Sequence, residues 1–228
     1  MIPSRIREQE LLARLAERSQ RPILAGVDEV GRGSIAGPVS VGIALCGLET
    51  SDDFPSELRD SKQLSPAKRE SLVPACYEWA LDIAVGHASA QVVDSEGIIG
   101  ALRHAAREAL NELSGRGWEI DAVLLDGKHD WWSEEVTLFD EGEPVLPQLP
   151  VHMEIGGDAS CAIVAAASVA AKVERDRLMC QYDEEYPVYA WARNKGYGTR
   201  AHYDALKKHG VSPLHRLSWN LRTQEERR

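Results

Sequence analysis

Two spacings of apolar residues alternate along the chain, and they predict an alternation of helices and strands. Apolar residues at helical intervals predict amphipathic helices over residues 4–18, 65–79 and 95–113. Short apolar or alternating runs predict strands over residues 23–27, 39–45, 81–88, 122–125 and 151–155. An alanine-rich segment from Ser160 to Met179 predicts a further helix that another element can approach closely.

The order of these elements predicts an α/β fold. Three strands lie close together in the sequence and the later strands alternate with helices, which favours a layered structure with a central mixed five-stranded sheet flanked by helices. Asp94 and Ser160 are the expected N-caps of the two longest helices, because their side-chain oxygens can accept hydrogen bonds from free backbone N–H groups. From about residue 181 onward, short helices and loops are expected.

Composition narrows the class of protein. A chain of 228 residues can form one core, or one core with a small appendage. The longest nearly apolar run, residues 161–171, is shorter than the roughly 20 residues of a membrane span, and residues 1–10 lack the apolar core of a signal peptide. The four cysteines have no metal-finger spacing. We therefore expect a cytoplasmic protein with reduced thiols and no membrane contact.

The charge is unevenly distributed. The net charge of −10 disfavours a protein that merely coats nucleic acid. Residues 1–171 carry a net charge of −14, whereas residues 172–228 carry +4. An acidic body with a basic C-terminal face suits an enzyme that uses a metal on a polyanionic substrate. A simple solvated surface would give the same pattern, so charge alone leaves both interpretations open.

Acidic residues stand at or just beyond the ends of three predicted strands. Asp28 and Glu29 follow the first strand, Asp126 follows the fourth, and Asp158 comes shortly after the fifth. Functional groups gather at strand ends in α/β sheets. Carboxylates brought together there would repel one another, and a hard divalent cation would neutralise them. The alternative is that each acid is a separate cap or turn residue. This alternative is less favoured for all of them together, because each has a glycine nearby.

Local geometry constrains the first acidic pair. Consecutive strand residues point to opposite faces, so Asp28 and Glu29 cannot both face one site from a regular strand. We expect the strand to end or twist there, with Gly31 and Gly33 permitting the change of direction.

The glycine-rich turn over residues 31–38 also suggests a dinucleotide-binding loop. That fingerprint requires G-x-G-x-x-G followed by a helix. Here the third glycine comes one residue late, and Pro38 and a strand pattern follow it. The helix N-terminus that would hold a pyrophosphate is therefore missing. Arg32 can instead form a forked contact with a phosphate.

Two aromatic segments are further candidates. Tyr197 lies between two glycines in the basic region, where its ring could stack on a base or sugar while Lys195 and Arg200 lie near phosphates. A tight turn with a packed tyrosine is the alternative. Trp131 and Trp132 lie in a polar insertion, where we expect loop packing rather than partner binding.

Taken together, these segments resemble ribonuclease HII, the type 2 ribonuclease H family. The resemblance covers about residues 23–219 and includes the specific block Asp-Glu-x-Gly-Arg-Gly at residues 28–33. The other matching segments, in the family's order, are residues 36–39, 60–62, 125–127, 157–158, 165–168, 171–173, 175–176, 194–199 and 215–216.

The resemblance implies a ribonuclease H-like catalytic core over residues 1–180 and a small C-terminal helical, substrate-binding extension over residues 181–228. It implies that Asp28, Glu29, Asp126 and Asp158 are catalytic carboxylates that hold two Mg²⁺ or Mn²⁺ ions. The implied reaction is hydrolysis on the 5′ side of a ribonucleotide, in an RNA–DNA hybrid or in duplex DNA with embedded ribonucleotides, leaving a 3′-hydroxyl and a 5′-phosphate.

The resemblance also implies substrate contacts. Gly31, Arg32 and Gly33 match the motif that reads the ribose 2′-hydroxyl and grips the adjacent phosphate, and Tyr197 matches the tyrosine that packs on the following deoxyribose. Lysines in the matching segments are further expected contacts, namely Lys62, Lys172 and Lys195.

The sequence departs from the family pattern in two places. Many members have a lysine two residues before the fourth acid, where this chain has Gly156, so phosphate affinity could be distributed differently. The insertion over residues 128–150 has no assigned role.

We expect a monomer, with a contact between the C-terminal tail and a replication clamp as an open possibility. A non-catalytic nucleic-acid-binding module is the alternative function, and a nicotinamide-dependent oxidoreductase is weaker still.

Overall fold

A computed structural model describes residues 2–59, 64–134 and 145–221. Its strands are β1 (Leu24–Val30), β2 (Val39–Cys46), β3 (Asp82–Ala88), β4 (Ala122–Asp126) and β5 (Val151–Glu154). Its α-helices are α1 (Ile6–Leu15), α2 (Pro66–Trp79), α3 (Ala90–Gly115), α4 (Gly157–Ser160), α5 (Ala162–Glu185), α6 (Trp191–Asn194) and α7 (Arg200–His209), with a 3₁₀ turn at Pro187–Tyr189.

The strands form one mixed sheet, as the sequence predicts. Their order is β3-β2-β1-β4-β5, with β2 antiparallel to both β1 and β3, and β4 parallel to both β1 and β5. Only β1 and β2 are joined by a short turn, over residues 31–38, whereas α2 lies between β2 and β3 and α3 lies between β3 and β4. The carboxyl ends of β1, β4 and β5 therefore lie side by side.

Helices cover both faces of this sheet. Helix α5, with Leu11 and Leu12 of α1 and Leu72 of α2, packs on one face, and α3 packs with the two tryptophans of the insertion on the other. Both Trp131 and Trp132 are buried, which confirms the expected loop packing.

The alanine-rich helix α5 approaches the sheet very closely. A methyl group built on Gly42 of β2 would lie 2.3 Å from the carbonyl oxygen of Ala167, and one on Gly26 of β1 would lie 2.6 Å from the side chain of Ile163. Small residues on both surfaces therefore set the distance between this helix and the sheet. The helix in turn carries side chains that reach the strand ends.

Two predicted helix N-caps are wrong. Helix α3 begins at Ala90, where Ser89 accepts a hydrogen bond from the N–H of Val92, and Gly97 then interrupts it with a φ of 72°. This kink obscures the helical spacing upstream, which is why Asp94 looked like the start. The Asp94 carboxylate instead accepts hydrogen bonds from the N–H groups of Leu217 and Ser218 in the C-terminal part.

The second correction concerns α5. Ser160 ends the one-turn helix α4, and Cys161 is the residue that precedes α5, without a side-chain cap. The free N–H of Ile163 is satisfied from outside the helix, since it donates to the Glu8 carboxylate of α1 at 2.7 Å. Because Glu8 lies 155 positions before Ile163, the sequence around the start of α5 does not reveal which residue caps the helix.

The C-terminal part forms a small core of its own. Met179, in the C-terminal half of α5, packs there with Ile35, Tyr189, Trp191 and Leu206. Residue 180, the expected boundary between core and extension, lies inside α5, so the two parts share this helix. Their division into domains stays a prediction. Within the described residues, no helix combines the length and apolarity that a membrane crossing requires.

The close approach of α5 predicts that Gly42→Ala will destabilise the fold. The added methyl group would collide with the backbone oxygen of Ala167, and overpacking of this kind costs about 1–3 kcal/mol. Gly115→Ala is the matched control, because nothing lies within 4 Å of its added methyl group. Urea denaturation should show a loss of unfolding free energy only for Gly42→Ala; equal effects would contradict the close packing.

Candidate active site

Three aspartates converge at the strand ends. Asp28 lies in β1, Asp126 ends the neighbouring parallel strand β4, and Asp158 lies in the first turn of α4, just after β5. Each contributes one carboxylate oxygen to a group whose members all lie within 4.8 Å of one another. Asp28 and Asp126 face the same way because they follow Val27 and Leu125, which are paired across the two strands. The predicted convergence of these three acids is present in the structure.

A tight turn holds the third aspartate in place. Gly156 has a left-handed backbone with φ 71° and ψ 34°, a conformation that glycine adopts without strain. The N–H of Gly157 then donates to Asp126 Oδ1 at 2.7 Å. Asp126 therefore fixes the turn that carries Asp158. A lysine at position 156, which the resemblance leads us to expect there, would have to adopt this same unusual backbone conformation.

The cluster is electrostatically unfavourable in the absence of a cation. Burial raises the pKa of the Asp28 carboxyl well above its ordinary value, and the charge of Asp126 raises it further. Glu29 and Asp158 act in the same direction, while a hydrogen bond from Ser168 of α5 opposes them. Three buried or half-buried carboxylates around one point form a donor set that fits a hard divalent cation. The residues present thus suit a divalent metal site.

Glu29 faces a different set of contacts. Strand β1 continues to Val30, so the expected end of the strand at residue 27 is wrong, and the change of direction falls at Gly31 with a φ of 82°. Glu29 is outside the three-aspartate group, as the alternation of side chains in a strand requires. Its Oε1 accepts from Arg32 at 3.1 Å, and its Oε2 accepts from the indole N–H of Trp131 at 3.2 Å.

Two fully buried arginines fix the turn over residues 31–38. Arg216 donates to the carbonyl oxygens of Gly31 at 2.8 Å and Arg32 at 3.0 Å. Arg175 of α5 donates to the carbonyl oxygen of Pro38 and the hydroxyl of Ser34, both at 2.8 Å. Burial, together with the neighbouring charge of Arg175, lowers the pKa of Arg216 to about 9, which leaves it protonated at neutral pH. The turn is therefore held from its inner side.

The segment that carries Tyr197 lies against this turn. The carbonyl oxygen of Gly196 accepts from the N–H groups of Ile35 at 2.9 Å and Ala36 at 3.2 Å. A methyl group on Gly196 would lie 2.3 Å from the oxygen of Ala36, so only glycine permits this approach. The Tyr197 side chain is 39% exposed. The structure thus brings the two glycine-rich segments of the sequence together.

The three predicted lysines differ in their surroundings. Lys172 is half-buried and forms an ion pair with Asp176, one turn further along α5. Lys195 donates to the sulfur of Cys180 at 3.1 Å. Lys62 lies outside the described residues. Gly33 is exposed, and Arg32 keeps 38% of its side chain exposed.

A pair of buried histidines supports the Tyr197 segment. His202 Nδ1 lies 3.0 Å from the carbonyl oxygen of Tyr197, and its Nε2 accepts from the indole N–H of Trp191 at 3.1 Å. His215 Nε2 lies 3.1 Å from the same His202 nitrogen, while its Nδ1 accepts from the N–H of Ser212. These contacts are satisfied when both imidazoles are neutral, with His215 donating to His202.

Sequence reasoning assigned no role to several residues that build this site. Ser168 binds Asp28, Trp131 binds Glu29, and Arg175 and Arg216 hold the turn. The immediate sequence gives no sign that the arginines are buried, since Arg175 lies between Glu174 and Asp176 and Arg216 follows His215. The identity of their hydrogen-bond partners depends on contacts between distant parts of the chain.

Fold and site define an α/β protein with a carboxylate centre suited to a divalent cation. Residues 25–222 match the family described as Ribonuclease HII. Ribonuclease HII of Streptomyces avermitilis is 44% identical over 197 residues, which are 86% of this chain and 76% of that protein. Ribonuclease HII of Magnetococcus marinus is 40% identical over 204 residues, 89% of this chain and 87% of that protein. The chain belongs to the ribonuclease HII family and is an endoribonuclease.

Solved structures show the same fold. A chain of the PCNA:RNase HII complex from Archaeoglobus fulgidus superposes with a TM-score of 0.66 at 23% identity, over 90% of this chain and 99% of that chain. Bst-RNase HIII in complex with Mn²⁺ gives a TM-score of 0.61 at 20% identity, over 88% of this chain and 68% of that chain. The predicted ribonuclease H-like fold with a mixed five-stranded sheet is confirmed.

The histidine pair predicts a loss of stability in acid. Burial and the neighbouring His202 lower the pKa of His215 from 6.5 to about 4 in the folded protein. The unfolded chain therefore binds a proton near pH 6.5 that the folded chain does not, and stability falls as the pH drops through this range. His215→Gln should remove about 1 kcal/mol of the decline in unfolding free energy between pH 6.5 and 5.5. Urea denaturation at several pH values would show this, and parallel declines in both proteins would refute it.

Proposed function

We propose that this chain hydrolyses the phosphodiester on the 5′ side of a ribonucleotide, using two divalent cations, Mg²⁺ or Mn²⁺. The substrates are RNA–DNA hybrids and duplex DNA with embedded ribonucleotides. The convergence of Asp28, Asp126 and Asp158 within 4.8 Å carries this proposal. Family membership supports it, because residues 25–222, which match the Ribonuclease HII family, include all three aspartates.

The carboxylates have a common task. Asp28, Asp126 and Asp158 would hold the cations, with Glu29 as the fourth ligand at the side of the cluster. Bound cations supply activation of the attacking water and neutralise charge on the departing 3′ oxygen. The hydrogen bond from Gly157 to Asp126 Oδ1 orients that carboxylate before any ligand arrives. Ser168 does the same for Asp28.

The turn over residues 31–38 suits recognition of a ribose. Gly33 is exposed, and nothing lies within 4 Å of the position its Cβ would take, so a sugar can approach the backbone there. Arg216 and Arg175 hold the turn rigid from its buried side. A preformed turn can place hydrogen-bonding groups at the 2′-hydroxyl, the group that distinguishes RNA from DNA. Arg32, beside it, would contact the adjacent phosphate.

Tyr197 would recognise the deoxyribose that follows the ribonucleotide, next to the ribose that the turn over residues 31–38 would bind. Its ring is partly exposed and lies on the segment that hydrogen-bonds to the turn through Gly196. The guanidinium of Arg175 lies 5.8 Å from the ring centroid. A ring in this position can pack on the sugar that follows the ribonucleotide, so that one face of the protein reads an RNA–DNA junction.

The basic C-terminal region would steer the polyanionic substrate. Exposed Arg193, Arg200, Lys207 and Lys208 lie in this region. Lys195 would contribute near Tyr197, whereas Lys172 would need to exchange its ion pair with Asp176 for a phosphate. Lys62 remains an expected contact outside the described residues. Binding through such contacts weakens as salt rises.

We propose a cytoplasmic monomer. Its four cysteines are free thiols, three of them buried, which suits a reducing compartment. The Archaeoglobus fulgidus structure contains a ribonuclease HII in complex with PCNA. By analogy, the C-terminal tail is our candidate for a contact with a replication clamp, although residues 222–228 lie outside the described residues.

Asp126→Asn tests the metal role directly. The change removes a charged ligand but keeps an oxygen that can accept from Gly157, so we expect cleavage to fall by more than about 100-fold, beyond the usual cost of losing a supporting group. Because the substitution also relieves repulsion with Asp28, the unfolding free energy should not fall. Single-turnover cleavage of a labelled RNA–DNA hybrid and urea denaturation measure these two effects.

Asp121→Asn is the matched control at the opposite end of β4. Its carboxylate accepts from the N–H of Ile23 at 2.8 Å, which the amide oxygen can also do, and it takes no part in the aspartate group. We expect wild-type cleavage from this variant. If Asp126→Asn retains near-normal cleavage, the assignment of the metal site is wrong. The non-catalytic alternative predicts instead that even the wild-type chain binds the hybrid without cutting it.

A further inference from the structure

In the described part of the insertion, the side chain of Trp131 reaches the active site. Trp131 is only 2% exposed, and its indole N–H donates to Glu29 Oε2 at 3.2 Å. A buried indole N–H requires an acceptor, and a charged acceptor makes a stronger hydrogen bond than a neutral one. The acidic side chain that follows Asp28 in β1 is therefore tied to a residue 102 positions later in the chain.

The other oxygen of Glu29 is bound less securely. Arg32 donates to Oε1 at 3.1 Å, but its side chain is 38% exposed, compared with 16% for Glu29. Arg32 is also the residue that we expect to contact a substrate phosphate. When its guanidinium turns toward that phosphate, Oε1 loses this hydrogen bond. Trp131 would then be the contact that continues to fix the orientation of the carboxylate.

The insertion is braced so that Trp131 can perform this task. Arg103 of α3 donates through Nε to the carbonyl oxygen of Trp131 at 2.9 Å, and through Nη2 to that of Ser133 at 2.7 Å. Its Nη1 also contacts the Glu134 carboxylate at 3.0 Å. One arginine on a long helix thus binds three residues of the loop, which restricts the movement of Trp131 away from Glu29.

We infer that Trp131 is a positioning residue for the metal site, acting through the carboxylate of Glu29. The inference rests on the proposed function, in which Glu29 is a metal ligand. A supporting hydrogen bond of this kind fixes the direction in which a ligand presents its oxygen, and its loss weakens metal binding even though the ligand itself remains. This gives the first part of the insertion a role in catalysis.

Trp131→Phe and Trp132→Phe form a matched pair of variants for the test. Both exchange a buried tryptophan in the same loop for phenylalanine, and the two rings are in contact, with centroids 6.1 Å apart. The indole N–H of Trp132, however, donates to the carbonyl oxygen of Pro147 at 3.2 Å and has no bond to Glu29. A general effect of loosening the loop should therefore occur in both variants.

The first readout is the affinity for Mn²⁺ without substrate, from the electron paramagnetic resonance signal of the free ion. We expect the apparent dissociation constant to rise roughly tenfold in Trp131→Phe and to stay at the wild-type value in Trp132→Phe. The concentration of Mn²⁺ that gives half-maximal cleavage should rise in the same variant only. Equal affinities in the two variants would overturn the inference.

A double variant tests the route through Glu29. In a Glu29→Ala background the carboxylate that accepts from Trp131 is already missing. Adding Trp131→Phe should therefore cause no further change in Mn²⁺ affinity. A full tenfold loss in that background would show that Trp131 acts by another path and would overturn the inference. If the wild-type chain binds no Mn²⁺ and cleaves no substrate, the proposed function fails as well. If the wild-type chain binds Mn²⁺ and cleaves the substrate, but Trp131→Phe and Trp132→Phe have the same Mn²⁺ affinity, only the role of Trp131 is refuted and the proposed function stands.

Discussion

The mutual repulsion of three aspartates, whose oxygens lie within 4.8 Å of one another, is the constraint on which this site depends. Burial raises the pKa of Asp28, and the neighbouring charges raise it further, so the folded chain stores an electrostatic cost that a divalent cation would relieve. The fold sustains this arrangement by bringing parallel strands β1 and β4 together and by tying the turn of Asp158 to Asp126 through Gly157. Packing of α5 on the sheet, at a distance set by glycine and alanine, supplies the hydrogen bond from Ser168.

Around this charged centre, the protein builds rigid surfaces from distant parts of the chain. Arg175 and Arg216 each bind the turn over residues 31–38 from more than 130 positions away, and both do so with buried guanidinium groups. The backbone of Gly196 places Tyr197 beside the same turn. The aspartate group, the turn over residues 31–38 and the ring of Tyr197 are thus held in place by contacts between distant parts of the chain. A substrate that requires all three would be selected by their relative positions.

The sequence was most informative where a feature has a local cause. Five apolar runs predicted the five strands, and Asp28, Asp126 and Asp158 stood out because each follows or closes such a run. The start of α3 was misplaced because Gly97 breaks the helical spacing, and the N-cap of α5 was misplaced because Glu8 satisfies that helix from α1. The contact between Trp131 and Glu29 has no local signal at all. It exists because Trp131 packs with α3 on one face of the sheet, where its indole reaches Glu29 of β1.

The most direct test of the account is a cleavage assay on duplex DNA that carries one ribonucleotide, with the cut mapped to single-nucleotide resolution in Mg²⁺, in Mn²⁺ and in chelator. The account predicts a metal-dependent cut on the 5′ side of the ribonucleotide, which leaves a 3′-hydroxyl, and no cut in an all-DNA duplex. This single result would require both the carboxylate centre and the recognition of the 2′-hydroxyl. Tight binding of the duplex without cleavage in either metal, or cleavage that ignores the ribonucleotide, would contradict it.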